Sequence, residues 1–441
     1  MKVEELKELL HGEWLSGKVN KKKIKNIVID SRKVEKDDVF LCIIGKTLDG
    51  HQYIKEAVQK RASVIIVSKK VDIKTSIPIL LVKDTNHAYF ELAKYHKKKI
   101  NPKVIAVTGS VGKTTTKEII AKFLETKYCV LKNEGNLNNH IGVPMTMLQL
   151  KPKHEVIVLE MGMNHLGEIK QLSLLAEPNT SIITNIGTSH IGYLKSMKNI
   201  FRAKMEIIEG MNQGTLIVPK KDRYLKKVKN IKSVQVIHVD SLSFHTKIKK
   251  EEEKMIVQLQ YGSKEFQVLL PRCAEHLLNN IYLALQVGII YQVPMENMIN
   301  VLQNMSFQLP SRLEHIKINS YQTIINDTYN ASFESTKASL EYLKKLSGTK
   351  CFIFGDILEL GLKSKSIHKK LGKIFAKEKN IYYILIGKET KVMKKYLNNC
   401  LWFENIEEYK DYITIHPLTE NYILLKGSRK MHIEEVIEKI K

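Results

Sequence analysis

No stretch of the 441 residues approaches the roughly 20 consecutive apolar residues that a membrane-spanning helix needs. The opening run MKVEELKELLHGEW mixes acidic, basic and apolar residues in the manner of an amphipathic helix and lacks the apolar core of a signal peptide. A soluble, cytoplasmic protein is therefore expected. Cysteine is scarce and scattered. Cys42, Cys129, Cys273, Cys351 and Cys400 are odd in number and never fall in a CxxC or Cys/His spacing, which points to structural thiols rather than metal ligands. Internal repeats and long Pro/Gly/Ser linkers are also missing, so boundaries must be read from the rhythm of strands and helices.

Acidic residues are the minority. Lysine and arginine number 71 against 46 aspartates and glutamates, a formal net charge of +25. The basic runs Lys21–Lys23, Lys97–Lys99 and Lys247–Lys250 are short, separate and free of interleaved aromatics, which is the pattern of solvated faces rather than of a nucleic-acid interface. Nucleotide substrates would also suit such a surface. Hydrophobic residues make up 43% of the chain, enough for globular folding, and its length fits two to four domains of roughly 100 to 200 residues each.

The pattern is α/β in three blocks. Residues 1–98 carry short apolar runs at Asn26–Ile29, Val39–Ile44, Val64–Val67 and Ile79–Val82, with a helical stretch at Tyr53–Lys60. Residues 99–309 open on Val104–Thr108, a β-branched run of the kind buried on both faces of a parallel sheet. Similar runs end at Glu160 and Asn185. Residues 310–441 alternate Thr323–Ile325, a helix from Ser335, Cys351–Phe354, a helix near His368, Tyr383–Ile386 and Tyr422–Leu425. That rhythm is Rossmann-like, but GxGxxG is absent and a dinucleotide site has little support.

The sharpest local signal is Thr108-Gly109-Ser110-Val111-Gly112-Lys113-Thr114-Thr115-Thr116, between a buried strand and the helical stretch Lys117–Leu124. Glycines let backbone amides face a phosphate, and the helix N-terminus adds a favourable dipole. Lys113 is expected to reach the β- and γ-phosphates of ATP and Thr114 to place a hydroxyl on Mg²⁺. Mg²⁺ takes hard oxygen ligands, and Glu160, leaving its strand just before Met161-Gly162, is placed to supply one. His190, at the end of Thr184-Asn185-Ile186-Gly187-Thr188-Ser189-His190, is a candidate ligand beside that site. Lys204 lies on a helix with Phe201, Met205 and Ile208 as apolar neighbours.

With these motifs assembled, the sequence resembles the Mur ligase family over nearly its whole length. The resemblance rests on Asp30-Ser31-Arg32, Gly45, Asp49-Gly50-His51, Thr108 to Thr116, Asn136 to Asn139, Ile141 to Pro144 and Glu160-Met161-Gly162 with Asn164-His165. It continues through Thr184 to His190, Arg202-Ala203-Lys204, Arg312, Asp327 to Asn330, Gly355-Asp356, Glu359 to Gly361 and Lys426 to Arg429. It implies three domains: residues 1–98 binding a UDP-sugar, a central ATPase over 99–309 and a Rossmann-like domain over 310–441. The implied activity is ATP-dependent amide ligation, with D-alanyl-D-alanine joined to a UDP-N-acetylmuramoyl-tripeptide through an acyl phosphate.

Carried over by motif, Ser31, Arg32, Gly45, Asp49 and His51 fall to the UDP substrate. Gly109 to Thr115, Asn280, Arg312 and Asp327 fall to ATP, with Tyr329 beside them. Thr114, Glu160, His190 and Lys204 fall to two Mg²⁺ ions, with Lys204 carbamylated, and Lys113, His190 and Lys204 are the implied catalytic groups. Asn330 and Asp356 are candidates near the dipeptide. Val111 stands where the family often has a small or polar residue, and Cys273-Ala274-Glu275 replaces the glycine usual before His276.

Relatives using other amines are weighed by what is missing. The Asp-Asn-Pro-Arg expected of a diaminopimelate-adding ligase does not occur, and residues 1–98 open without the glycine-rich turn of the alanine- and glutamate-adding enzymes. Folylpolyglutamate synthase would lack a UDP-binding first domain. A P-loop switch would use nucleotide for conformation rather than for amide formation.

Overall fold

The computed structural model describes residues 1–19, 21–45, 47–251, 254–307 and 311–441, without the side chains of 272 and 273. The start of the third block at Pro310 and the Cys273 thiol therefore lie outside the described residues. Two compact units emerge: residues 1–104, 129–157 and 174–177 form one, and residues 105–128, 158–173 and 178–441 the other.

The first unit is built on a five-stranded sheet. Ile27–Val28, Val39–Leu41, Val64–Val67 and Ile79–Leu81 are parallel neighbours, and Glu13–Ser16 joins Ile79–Leu81 antiparallel at the edge. The amphipathic start is thus shorter than its charge pattern suggests. Its helix covers only Glu5–Leu10, His11 turns left-handed at φ 49°, and Trp14 enters a strand. One face of the sheet packs Leu41, Ile66 and Leu80 against Leu6, Tyr89 and Leu92. Tyr89 and Leu92 lie on the helix Thr85–Ile100, which Asp84 caps by accepting from the amides of Asn86 and His87 at 2.7 and 3.3 Å and which Asn101 ends in a left-handed turn. This helix continues through residue 98. Lys97, read as part of a solvated basic run, is instead buried, donating to Glu177 at 2.6 Å and to the Ala176 carbonyl at 3.2 Å.

In a further sheet, most of it in the second unit, Val234–Val239, Gly214–Pro219, Thr180–Ile183 and Lys103–Thr108 pair in parallel in that order, with Val156–Glu160 beside the last. Their cores, Ile105 to Val107 and Ile157 to Leu159, are fully buried. The pattern is the continuous apolar run of a sheet covered on both faces. The sequence reading passed over an antiparallel sheet of Lys247–Lys250, Lys254–Tyr261 and Lys264–Pro271. The lysines of its edge strand are exposed, as expected of a solvated run.

A further six-stranded sheet runs Glu314–Lys317, Thr323–Asn326, Tyr422–Lys426, Lys350–Gly355, Ile381–Ile386 and Cys400–Phe403. Only its first strand is antiparallel. The helix expected from Ser335 starts at Phe333, because Ser332 and Ser335 exchange backbone and side-chain hydrogen bonds in a capping box. The described cysteines Cys42, Cys129, Cys351 and Cys400 are free thiols, in keeping with a structural role. Among the described residues no helix is long and apolar enough to cross a membrane.

At the strand ends of this sheet Lys426 and Asp327 form a buried pair at 2.5 Å, and Ser339 donates to the same carboxylate oxygen at 2.6 Å. Removing one partner would strand the other charge without water. Lys426→Ala is expected to destabilise this unit by about 3–5 kcal/mol in chemical denaturation, and the double variant Asp327→Ala/Lys426→Ala to fall well short of the sum of the two single losses.

Candidate active site

The strand Lys103–Thr108 ends in a turn that only glycine fits. Gly109 has φ 152°, and a Cβ there would lie 1.8 Å from Thr184 Oγ1. Gly112 has φ 83°, with Asn280 Nδ2 2.3 Å from where its Cβ would be. From Gly112 the chain enters the helix Lys113–Glu125, whose first amides have no partner within the helix and form an anion-binding end. This helix begins four residues before the expected Lys117.

The turn is sewn to the neighbouring strand end. The Ser110 amide donates to the Asn185 carbonyl at 3.1 Å and the Val111 amide to Asn185 Oδ1 at 3.0 Å. The Val111 carbonyl accepts from Thr184 Oγ1 at 2.6 Å and from Asn185 Nδ2 at 2.9 Å, while Ser110 Oγ accepts from the Gly187 amide at 2.8 Å. Val111 therefore takes part through its backbone, which explains why a branched apolar side chain is tolerated. Asn280 holds the far side, its Nδ2 donating to the Gly112 carbonyl at 3.1 Å and to Thr116 Oγ1 at 2.7 Å. The structure thus places Asn280 as a brace of the loop.

Thr114 is a meeting point. Its hydroxyl donates to Glu160 Oε2 at 2.8 Å and accepts from Arg312 Nη2 at 3.1 Å. The Arg312 guanidinium lies 3.7 Å over the Tyr329 ring. Glu160, at 3% exposure, comes from one strand end and Arg312 from the C-terminal segment. Lys113 Nζ donates to the Gly109 carbonyl at 3.0 Å, and burial holds its pKa below the ordinary value. Lys204 is 2% exposed, and its amine is held far below its usual range, first by burial and then by the charge of Lys113. It sits on the helix Met197–Met205 with Ile200 and Ala203 on the buried side. The apolar neighbours Phe201, Met205 and Ile208 are only partly buried, whereas Lys204 itself is buried.

His190 adopts a left-handed turn at φ 63°, and its Nδ1 lies 2.9 Å from Glu359 Oε2. That hydrogen bond holds the Glu359 carboxyl below the usual carboxylate range. Glu334, which sequence reasoning did not single out, reaches the same loop by accepting from the amide and the hydroxyl of Thr188. A glutamate in the first turn of a helix carries no local signal for such a role.

The remaining candidates are dispersed. Asp327 is committed to Lys426. Asn330 is exposed, and its carbonyl also accepts from Lys426 at 3.2 Å. Asp356 is 5% exposed and accepts from the amides of Thr390 at 2.8 Å and Glu389 at 3.2 Å, with burial raising its pKa.

In the first unit Ser31 donates to Glu56 at 2.6 Å, while the Arg32 side chain is 82% exposed with its fork on Asp30. The Gly45 amide donates to the Leu48 carbonyl at 2.8 Å. Asp49 accepts from Lys69 at 2.7 Å and from the His51 amide at 3.0 Å, and the Lys69 contact leads the effects that hold its pKa low. His51 Nε2 accepts from the Ser68 amide at 3.0 Å, so its Nδ1 carries the proton that it gives to Asp49.

Among the described residues no three of His, Cys, Asp and Glu form a ready metal cage. The Thr114 hydroxyl and the Glu160 carboxylate are nevertheless the hard oxygen donors that suit a magnesium ion completing its shell with phosphate and water. The arrangement can bind a polyphosphate at the helix end, neutralise it with Lys113 and Arg312, and hold a divalent cation beside it.

Comparison with known proteins agrees with this chemistry. The chain matches the Mur ligase middle domain over residues 107–288, the Mur ligase, glutamate ligase domain over 311–429 and the Mur ligase family, catalytic domain over 23–122. The UDP-N-acetylmuramoyl-tripeptide–D-alanyl-D-alanine ligase of Buchnera aphidicola subsp. Baizongia pistaciae is 31% identical over 425 residues, 95% of this chain and 92% of that protein. A crystal structure of MurF from Acinetobacter baumannii superposes with a TM-score of 0.91 at 31% identity, covering 100% of this chain and 98% of that one. The MurF ligase from Thermotoga maritima in complex with ADP gives a TM-score of 0.84 at 27% identity, over 94% of this chain and 97% of that one.

The glycine turn yields a direct test. Gly109→Ala drives a methyl group into Thr184 Oγ1, which cannot yield without releasing the Val111 carbonyl. Strain of about 1–3 kcal/mol at such a position should weaken binding of a fluorescent ATP analogue by about ten-fold or more, measured by titration alongside an unchanged far-ultraviolet circular dichroism spectrum.

Proposed function

The chain belongs to the Mur ligase family, and we propose on that footing that it joins D-alanyl-D-alanine to UDP-N-acetylmuramoyl-tripeptide, converting ATP to ADP and phosphate, as a cytoplasmic step of peptidoglycan precursor synthesis. The observation that carries the reading is the convergence of Glu160 and Arg312 on Thr114 at the head of the phosphate loop. In this reading residues 1–98 hold the UDP-sugar, 99–309 the ATP and 310–441 the incoming dipeptide.

The reaction asks the protein chiefly to position groups and to stabilise charge. The terminal carboxylate of the tripeptide attacks the γ-phosphorus of ATP, the bond to the bridging oxygen breaks, and ADP leaves. The dipeptide amine then attacks the acyl phosphate carbonyl, loses a proton and expels phosphate. Lys113 and the amides at the start of its helix meet the negative charge of the transferring group. Arg312, held flat on Tyr329, brings a second cation from the C-terminal segment. Thr114 and Glu160 would hold Mg²⁺, with His190 and a carbamylated Lys204 serving a second ion, and such cations supply neutralisation of phosphate charge. Ser31 and Arg32 are assigned to the UDP diphosphate, where an exposed guanidinium fork suits two phosphate oxygens. Gly45, Asp49 and His51 shape the same substrate site, and Asn330 and Asp356 are assigned to the dipeptide side.

Lys204 is suited to carbamylation because that reaction needs the neutral amine. Its nitrogen attacks the carbon of CO₂, a C–N bond forms, and a proton leaves to give an anionic carbamate. Burial and the nearby Lys113 charge both favour the uncharged starting form, and the same cation then favours the anionic product.

Phosphate release should require both UDP-N-acetylmuramoyl-tripeptide and D-alanyl-D-alanine, and replacing the dipeptide with single amino acids should abolish it. Turnover with diaminopimelate or lysine and the dipeptide precursor, or release that ignores both co-substrates, would instead indicate the diamino-acid-adding relative or a nucleotide switch.

Lys204→Ala should lose most ligation and regain part of it with a small added carboxylate. In ¹³C-bicarbonate the wild-type protein should show a carbamate resonance that the variant lacks, and a wild-type spectrum without it would refute the modification.

A further inference from the structure

The C-terminal segment grips the loop after Thr180–Ile183 with two glutamates. Glu359 holds His190, while Glu334 holds a residue with no assigned part in the chemistry. Glu334 Oε1 accepts from the Thr188 amide and Oε2 from the Thr188 hydroxyl, each at 2.9 Å. We propose that Glu334 is a positioning residue which, through Thr188, couples docking of the C-terminal segment to the shape of the phosphate loop. The inference rests on the ligase reading, since it gives the coupling its purpose.

The connection runs through short contacts. Next to Thr188, the Gly187 amide donates to Ser110 Oγ at 2.8 Å, and on the other side Ser189 Oγ donates to the Ser110 carbonyl at 3.2 Å. Asn185 in the same loop carries the Val111 amide. The carboxylate of a helix in one sheet layer is thereby one residue from the hydrogen bonds that shape the phosphate turn in another. Space for it depends on Gly187, where a Cβ would lie 2.8 Å from Glu334 Cδ and 3.0 Å from Oε2.

Glu334 is not needed for its own helix. The end of Phe333–Lys344 is already capped by Ser332 and Ser335, so the carboxylate is free to reach outward. Two donors on separate oxygens offset the partial burial of the carboxylate. Such a bidentate grip fixes the direction of the Thr188 peptide as well as its distance.

The test compares wild type, Glu334→Ala, Glu334→Gln, Thr188→Val and the double variant Glu334→Ala/Thr188→Val. Amide exchange at Thr188, thermal unfolding and the kinetic constants of ligation are measured for each. Glu334→Ala should speed exchange at Thr188 and raise the KM for ATP by about ten-fold, as expected for losing hydrogen bonds to a charged acceptor. The melting temperature and the directly titrated affinity for the UDP-tripeptide should stay at wild-type values. Glu334→Gln should rescue part of the loss, because its amide oxygen still accepts one donor. Thr188→Val should cost less than Glu334→Ala, and the double variant no more than Glu334→Ala alone. Wild-type exchange and KM in Glu334→Ala would overturn the proposal. So would a loss that comes with a lowered melting temperature and no rescue by glutamine, which would mark Glu334 as merely structural. If the wild-type protein failed to ligate at all, the functional reading would fall, while exchange at Thr188 would still report on the contact.

Discussion

Hydrogen bonds between the phosphate turn and the adjacent strand-end loop are the constraint on which the site depends. Ser110 and Val111 spend their amides on Asn185, and the Val111 carbonyl is taken by Thr184 and Asn185. What stays available for an anion is the start of the helix at Lys113, where unpaired amides and the dipole point the same way. A turn held by backbone alone would need every φ to stay in place unaided. Here Gly109 and Gly112 permit the path and the neighbouring loop enforces it, so the anion site exists before any ligand arrives.

That preformed site gathers like charges. Lys113 feels the like charge of Arg312 and the opposite charge of the buried Glu160 carboxylate, Lys204 feels the charge of Lys113, and burial weakens the hold of both lysines on their protons. Such an arrangement is costly in an isolated protein and favourable once a polyanion enters. The buried pair of Lys426 with Asp327 works the opposite way. Its charges satisfy each other, and Ser339 completes the shell, so it stiffens the strand ends from which the Asp327 to Asn330 segment departs.

The first unit uses a different economy. Asp49, His51, Lys69 and Ser68 close a network in which each group has a partner, fixing a turn rather than offering a reactive atom. Arg32, by contrast, projects into water with its fork on Asp30. A substrate diphosphate can compete for an exposed guanidinium much more readily than for a buried one, since little desolvation has been spent on the existing pair.

Local pattern was sufficient where chemistry depends on residues close in the chain. The run Val104 to Thr108, the glycines at 109 and 112 and the Lys113-Thr114 pair together specify strand, turn and helix N-terminus, because backbone sterics and hydrophobic periodicity act over a few residues. The widely separated motifs of the resemblance likewise identified the family. Tertiary structure alone decided which groups meet. Glu334 and Thr188 are 146 residues apart, and Arg312 and Thr114 are 198 apart, so nothing in either neighbourhood announces the contact. The same holds for Lys204, whose place on the buried side of its helix with Ile200 and Ala203 follows from what the helix packs against. It holds also for Lys97, which composition assigned to solvent and Glu177 drew inside. Composition counts charges, and burial and partners, which depend on the whole fold, decide what those charges do.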